Sequence, residues 1–287
     1  MRDVVIIGAG PAGISASIYA KRANLDVLVL HYGKSNIEEA PKIDNYYGFP
    51  GGIDGERLYS DGIKQAKELG VEVKEAEVVG IENLGMHFNV KTVTGDFETK
   101  AVILSTGNKK LKPDIQGITE YEGKGISYCA ICDAFFYRNK NVAIIGNGNF
   151  AISEANELSH IAKNIIILSN GLNAPDSDFE TNTKKIKAIT GNEKVNKIEF
   201  EDGTTLDIDG VFVALGEAGA GDFAKTLGVI QDGNNIKVDN KMHTNVNGIF
   251  ACGNATGGLL QVCKAVYEGA TAGLSAANYI RNLEKEN

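Results

Sequence analysis

The sequence predicts an α/β protein built of two nucleotide-binding-type units of three-layer ββα construction, the second inserted into the first. Two observations predict it. Two glycine loops, Gly8-Ala9-Gly10-Pro11-Ala12-Gly13 and Gly146-Asn147-Gly148-Asn149-Phe150-Ala151, each follow a short run of Val and Ile and precede a helical pattern of small and apolar residues. The segment from Ile249 onward has the apolar character of the first unit, so the chain is expected to return there. The expected bounds are 1–111 with 242–287 for the first unit and 112–241 for the inserted one.

Asp3 to Ile7 reads as a strand, Ile14 to Ala23 as a helix and Asp26 to Leu30 as the next strand. Between strand and helix the glycines have separate tasks in a Rossmann-like turn. Gly8 permits the tight bend, Gly10 lets backbone approach a pyrophosphate, and Gly13 lets helix and strand pack closely, so the helix N-terminus faces phosphate. The second strand ends in His31-Tyr32, where an acid for ribose hydroxyls is expected. Two readings stay open there: a neutral imidazole accepting one hydrogen bond with Tyr32 over an adenine, or an exposed strand end.

A turn-rich segment, 41–55, leads to a helix expected over 56–69, β pieces from Val71 to Val93, a turn at Gly95-Asp96 and a buried strand, 101–105, ending at Thr106-Gly107. Lys109-Lys110-Leu111-Lys112-Pro113 reads as an interdomain linker. In the second unit, strands are expected at 141–145 and 164–168 with a helix over 152–161 between them, then a hairpin around Asp202-Gly203 and a closing strand over 210–215. Asp239 to Thr244 is the expected return linker, followed by a strand and turn over 249–254 and a long helix over 259–281.

A nicotinamide nucleotide in the second unit requires Arg or Lys for a 2′-phosphate, or Asp or Glu for a free ribose, at the end of the second strand. Ser169-Asn170-Gly171-Leu172-Asn173-Ala174-Pro175 holds no charge, and the next base is Lys184. The second glycine loop is therefore read as structural.

Cys129-Ala130-Ile131-Cys132-Asp133 carries the chemistry. Two cysteines in C-x-x-C spacing close a small ring, and such pairs commonly lower one thiol pKa. Zinc needs four ligands, and no second C-x-x-C or paired histidine lies nearby, so no metal site is read. Asp133 either moves the proton that disulfide reduction requires or serves as a cap or turn residue, and the two uses are compatible. Cys252 and Cys263 read as packing residues. Only four cysteines in 287 residues fit a reducing cytoplasm with a transient, catalytic disulfide. The net charge of −8 argues against nucleic acid, and no apolar run approaches the roughly 18 residues of a membrane span.

These motifs resemble the low-molecular-weight thioredoxin reductases over nearly the whole chain. Gly8 to Gly13 matches the FAD loop of that family, Asn45 through Pro50 resembles its segment near the flavin, and Ser105-Thr106-Gly107 stands where it has Ala-Thr-Gly. Cys129 to Asp133 matches its C-A-x-C-D. Gly253-Asn254 and Gln261-Val262 align with its C-terminal FAD motif, although the family has Asp at 254 and Arg at 260, where this chain has Leu. The resemblance implies FAD as cofactor, thioredoxin as substrate, a homodimer, Cys132 facing the flavin and Cys129 attacking the partner's disulfide. The family's basic H-R-R-x-x-x-R segment corresponds to 169–175 and is absent, a pattern similar to the ferredoxin-dependent flavin thioredoxin reductases, which do without pyridine nucleotide. Ferredoxin is then the expected electron donor, since a flavin collects electrons singly and delivers them as a pair. Lys109, Lys110, Lys112, Arg138 and Lys140 are candidates for its landing patch, or solvated linker and turn charges. The alternatives are an NADPH-dependent thioredoxin reductase, a dithiol oxidase using oxygen, and a flavin-binding protein without turnover.

Overall fold

A computed structural model describes residues 1–107, 113–128, 130–216, 219–233 and 235–286 of the chain, without the side chains of Ile131, Cys132 and Glu286. The chain divides into two compact units, Met1–Lys109 with Gly219–Asn287, and Lys110–Ala218. The return to the first unit thus comes at Gly219 rather than at the linker expected over 239–244.

The first unit opens with β1 (Arg2–Ile7), α1 (Pro11–Arg22) and β2 (Val27–His31), a parallel pair with Val4 opposite Val27. After α2 (Gly55–Glu68) come β3 (Glu72–Glu75), β4 (Val78–Asn83), β5 (Phe88–Thr92) and β6 (Phe97–Leu104). Strand β6 begins four residues before the segment read from sequence, because its two halves have different neighbours. Its first half pairs antiparallel with β5 and alternates in burial, while its apolar second half is buried throughout.

In the second unit, β7 (Ile126–Ser127) is followed by the short α3 (Ala130–Asp133), β8 (Asn141–Ile145), α4 (Asn149–Ser159), β9 (Asn164–Leu168) and β10 (Glu180–Asn182). Helix α4 starts three residues earlier than expected because Gly148 is its N-cap, so the end of the glycine loop is its first turn. An antiparallel sheet of β11 (Ile186–Gly191), β12 (Val195–Phe200) and β13 (Thr205–Asp207) contains the expected hairpin plus a strand hidden in sequence by Lys184, Lys185 and Lys187. Strand β14 (Gly210–Val213) lies inside the parallel sheet, whose order is β10-β9-β8-β14-β7.

Back in the first unit, the glycine-rich stretch after Leu215 conceals α5 (Ala220–Thr226), whose Asp222 side chain accepts from the Gly219 amide at 3.0 Å. Then follow β15 (Gln231–Asp232), β16 (Asn235–Ile236), β17 (Ile249–Ala251) and α6 (Val262–Glu286). Strand β17 pairs with the second half of β6, completing a sheet of order β3-β2-β1-β6-β5-β4 with β17 beside β6. Helix α6 lies on α1 through small residues: a Cβ on Gly269 or Gly273 would run into the carbonyl oxygens of Ala12 and Ala16. Ala272, Ala276 and Ala277 bury at the same core. Among the described residues no helix is long and apolar enough to cross a membrane.

Candidate functional site

The residues expected to hold a cofactor gather outside the C-terminal ends of β1, β6 and β17, where parallel sheets of this kind bind ligands. Gly8 follows β1 with φ of +106°, and a Cβ there would stand 2.6 Å from the Ser105 carbonyl oxygen. A Cβ on Gly13 would strike the Gly8 carbonyl oxygen and lie 2.6 Å from Ser105 Oγ. Gly10 caps α1 and Pro11 occupies its first turn, with no side-chain cap and no acid in that turn. Gly253 comes so close to Ala12 that a Cβ would sit 2.7 Å from the Ala12 Cβ, and a Cβ on Gly107 would touch that of Asn254 at 4.0 Å. Three segments far apart in sequence therefore close on the glycine loop.

Asn45 Nδ2 donates to Gln261 Oε1 at 2.8 Å, tying two predicted cofactor residues separated by 216 positions. Val262 packs on the small cluster of Ile37, Ile43 and Ile53, which seats the start of α6 against the 36–53 segment. Tyr46 stacks on Phe49 at 5.8 Å, while Tyr47 and Tyr32 are exposed.

Two buried polar atoms here lack any protein partner, Thr106 Oγ1 and His31 Nδ1. Such atoms are costly to leave unpaired, so a polar ligand at this edge accounts for both. Burial pushes the His31 pKa down from its ordinary value, which keeps the imidazole neutral near pH 7 and able to accept a bond. Sequence reasoning missed Ser35, whose Oγ stands 3.5 Å from the Cβ position of Gly10 and whose amide donates to Glu38 at 2.5 Å. These features fit a dinucleotide: cradle at 8–13, polar atoms at 31 and 106, and a closing turn at 253–254.

The departures at Asn254 and Leu260 have a counterpart in α6. Lys264 Nζ donates to the Gly253 carbonyl at 2.7 Å, the Gly257 carbonyl at 2.5 Å and Thr256 Oγ1 at 2.9 Å, and pairs with Glu268 at 2.9 Å. Glu268 in turn accepts from the Gly253 amide at 2.9 Å. The two side chains are only 14% and 12% exposed. Replacing Lys264 by Met strands a buried carboxylate, so Lys264→Met is expected to lose about 3 kcal/mol of stability and to release its cofactor on gel filtration. A urea midpoint equal to wild type would show that the pair contributes nothing.

Of the sequence-predicted catalytic residues, Cys129 lies outside the described residues, as do Lys109, Lys110 and Lys112 of the expected basic patch. Cys132 and Asp133 lie on α3. Asp133 Oδ2 accepts from Ser127 Oγ at 2.6 Å, and Ser127 is 4% exposed. Burial, reinforced by the Asp133 charge, raises the pKa of Tyr137. Arg138 stands over the Phe135 ring and Lys140 over the Tyr137 ring, each at 5.7 Å. The other cysteines differ from each other: Cys252 is buried, its thiol pKa pushed far up by burial, whereas Cys263 is exposed on α6 and is not the packing residue expected.

At the end of β9 the polar groups bond within the chain. Ser169 Oγ donates to the Leu172 carbonyl at 2.7 Å and Asn170 Oδ1 accepts from the Ile186 amide at 2.8 Å. The next bases along the chain are ion-paired, Lys184 to Asp202 at 2.7 Å and Lys185 to Glu201 at 2.9 Å. Lys184 and Thr204 hold the Asp202 carboxyl down at about 2.

Residues 2–269 match the pyridine nucleotide-disulphide oxidoreductase family. A thioredoxin reductase of Treponema pallidum is 33% identical, with 98% of each chain covered. Among solved structures, the atypical thioredoxin reductase TRi of Desulfovibrio vulgaris Hildenborough is 38% identical with a TM-score of 0.94, covering 98% of this chain and 99% of its own. A ferredoxin-flavin thioredoxin reductase of Clostridium acetobutylicum is 33% identical with a TM-score of 0.73, covering 98% of both. FAD is the cofactor that these relationships assign to the chain. The chain belongs to the low-molecular-weight thioredoxin reductases, flavoenzymes of the pyridine nucleotide-disulphide oxidoreductase family.

Proposed function

We propose that the protein reduces the disulfide of thioredoxin through Cys129 and Cys132, with electrons from reduced ferredoxin rather than from a nicotinamide. The observation that supports the choice of donor is the end of β9. A 2′-phosphate brings about two negative charges to a place where Ser169 and Asn170 are bonded within the chain and both following lysines are neutralised by carboxylates. The likeness to the C. acetobutylicum protein, named for ferredoxin and flavin, points the same way.

When bound, FAD accepts electrons one at a time and returns them as a pair. The chain's own residues do the rest. Gly8, Gly10, Pro11, Ala12 and Gly13 hold the pyrophosphate, His31 and Tyr32 the adenosine end, and Asn45, Thr106, Gly107, Gly253, Asn254, Gln261 and Val262 the remainder. The Cys129 thiolate attacks one sulfur of thioredoxin, whose S–S bond breaks, and the departing sulfur takes up a proton. Cys132 then attacks Cys129 Sγ, releasing the second thioredoxin thiol and closing the Cys129–Cys132 disulfide. Asp133, held by Ser127, supplies and recovers protons at this pair. The proposal includes a homodimer working in a reducing cytoplasm.

Titration calorimetry with NADPH tests the donor directly. The expected result is no saturable heat at micromolar ligand, and a micromolar Kd would return the NADPH-dependent alternative.

A further inference from the structure

The turn over 253–257 leaves β17 with Gly253 and Gly257 both at φ of +73°, a left-handed backbone that takes its amides and carbonyls out of any strand ladder. Those groups find partners on α6. Lys264 and Glu268 stand one helical turn apart, so a single face of the helix offers a donor and an acceptor together. Lys264 Nζ donates to the carbonyls of Gly253 and Gly257, while Glu268 Oε2 accepts from the Gly253 amide. Thr256 Oγ1 lies between them, 2.9 Å from Lys264 Nζ and 2.8 Å from Glu268 Oε2. Both polar groups of Gly253 are therefore taken by α6.

The next residue differs. The Asn254 side chain makes no hydrogen bond to the described residues. Its Cβ stands 4.0 Å from where a Cβ on Gly107 would be, and the neighbouring Thr106 Oγ1 is buried without a partner. The turn thus divides its polar groups: those of Gly253, Thr256 and Gly257 are satisfied within the chain, and the Asn254 amide is open beside the unpaired Thr106 hydroxyl. Buried polar groups left open are the ones a ligand satisfies.

We propose that Lys264 and Glu268 are positioning residues for the flavin half of FAD: by taking both groups of Gly253 they shape the 253–257 turn before the cofactor arrives, so that Asn254 and Thr106 are already in place to receive it. A contact preformed in the free protein contributes more to affinity than one that must be ordered on binding. The effect reaches only a ligand that extends to the turn. ADP has the adenosine and pyrophosphate that the 8–13 loop and His31 are read as holding, and it lacks the flavin. The brace on α6 therefore strengthens FAD binding and leaves ADP binding nearly unaffected. This inference rests on the reading of the cofactor residues given above, and the two can fail separately.

The experiment uses the full-length protein freed of flavin, shown to be folded by circular dichroism, and titrated with FAD by fluorescence and with ADP by calorimetry. In Lys264→Met the Kd for FAD is expected to rise at least about tenfold, the weight of one hydrogen bond, while that for ADP stays within about twofold. Lys264→Arg keeps donors beneath the turn and should recover most of the loss. A pair that only stabilises the fold leaves the ratio of the two constants at its wild-type value, so an unchanged ratio in a folded K264M protein overturns the proposal. Should K264M not fold, Glu268→Gln takes its place: it keeps an acceptor for the Gly253 amide and removes the ion pair, with an expected change in the ratio of about threefold. An unchanged ratio there is then the overturning result. Wild-type protein that takes FAD but no ADP would defeat the reading of the 8–13 loop, and the inference with it.

Discussion

Mixed anaerobically with excess NADPH or NADH, the purified yellow protein is expected to keep its visible absorbance, and a reduced ferredoxin to bleach it at least about a hundredfold faster. The magnitude comes from the missing contacts. Each charge-assisted hydrogen bond to a phosphate contributes roughly 1.5 to 3 kcal/mol, so losing two weakens binding by about a hundredfold to ten-thousandfold. Backbone geometry at this place adds to the effect. Asn170 and Gly171 have φ of +51° and +83°, the left-handed region in which an arginine side chain is strained. The Gly171 amide also bonds to the Thr183 carbonyl at 3.0 Å, which ties the strand end to the following segment. The chain has a shape here that suits Gly and Asn and no charge to offer a nucleotide. Rapid bleaching by NADPH would defeat this account outright, and slow bleaching by every reductant would leave a dithiol oxidase, recognised by peroxide release on turnover of a small dithiol, or a flavin-binding protein without turnover.

What was legible in the sequence is what neighbouring residues decide. The strand, glycine loop and helix at residues 3–23 are a local pattern, and the first unit carries them, with the helix opening at Pro11 rather than at the expected Ile14. Pairings across the chain were not legible. Asn45 and Gln261 were each identified by resemblance, but their hydrogen bond depends on α6 returning over α1 through Gly269 and Gly273. The return point at Gly219 was hidden because glycines around α5 mask its helical character, and only Asp222, placed to cap Gly219, marks it. Ser35 was missed because a serine in a polar turn carries no periodic signal. Glu154, 6% exposed on α4 with its Oε2 accepting from the Ala130 amide at 2.6 Å, did leave one. Positions 150, 151, 154, 155 and 158 form a helical stripe, and a single acid among Phe, Ala and Leu is out of keeping with a face meant for burial. Lys264 and Glu268 read in sequence as an ordinary surface pair at i and i+4, and burial under the 253–257 turn is a tertiary fact.

Cys132→Ser is expected to reduce thioredoxin turnover by at least about 10⁴-fold and to leave thioredoxin covalently trapped on Cys129, seen as a reductant-sensitive adduct by mass spectrometry. The size follows from the two thiols acting as a unit: without the second, the mixed disulfide has no internal nucleophile to release it, and removing one member of such a unit costs nearly as much as removing all. Cys129→Ser should lose turnover equally, form no adduct, and leave Cys132 as a thiol facing the flavin, visible while the flavin is oxidised as a long-wavelength charge-transfer band. The asymmetry of the two variants carries the information, since equal loss of activity follows from either assignment. An adduct on Cys132 in the Cys129→Ser protein, with none in Cys132→Ser, would exchange the roles. Activity retained by either serine variant would remove the dithiol from the reaction altogether.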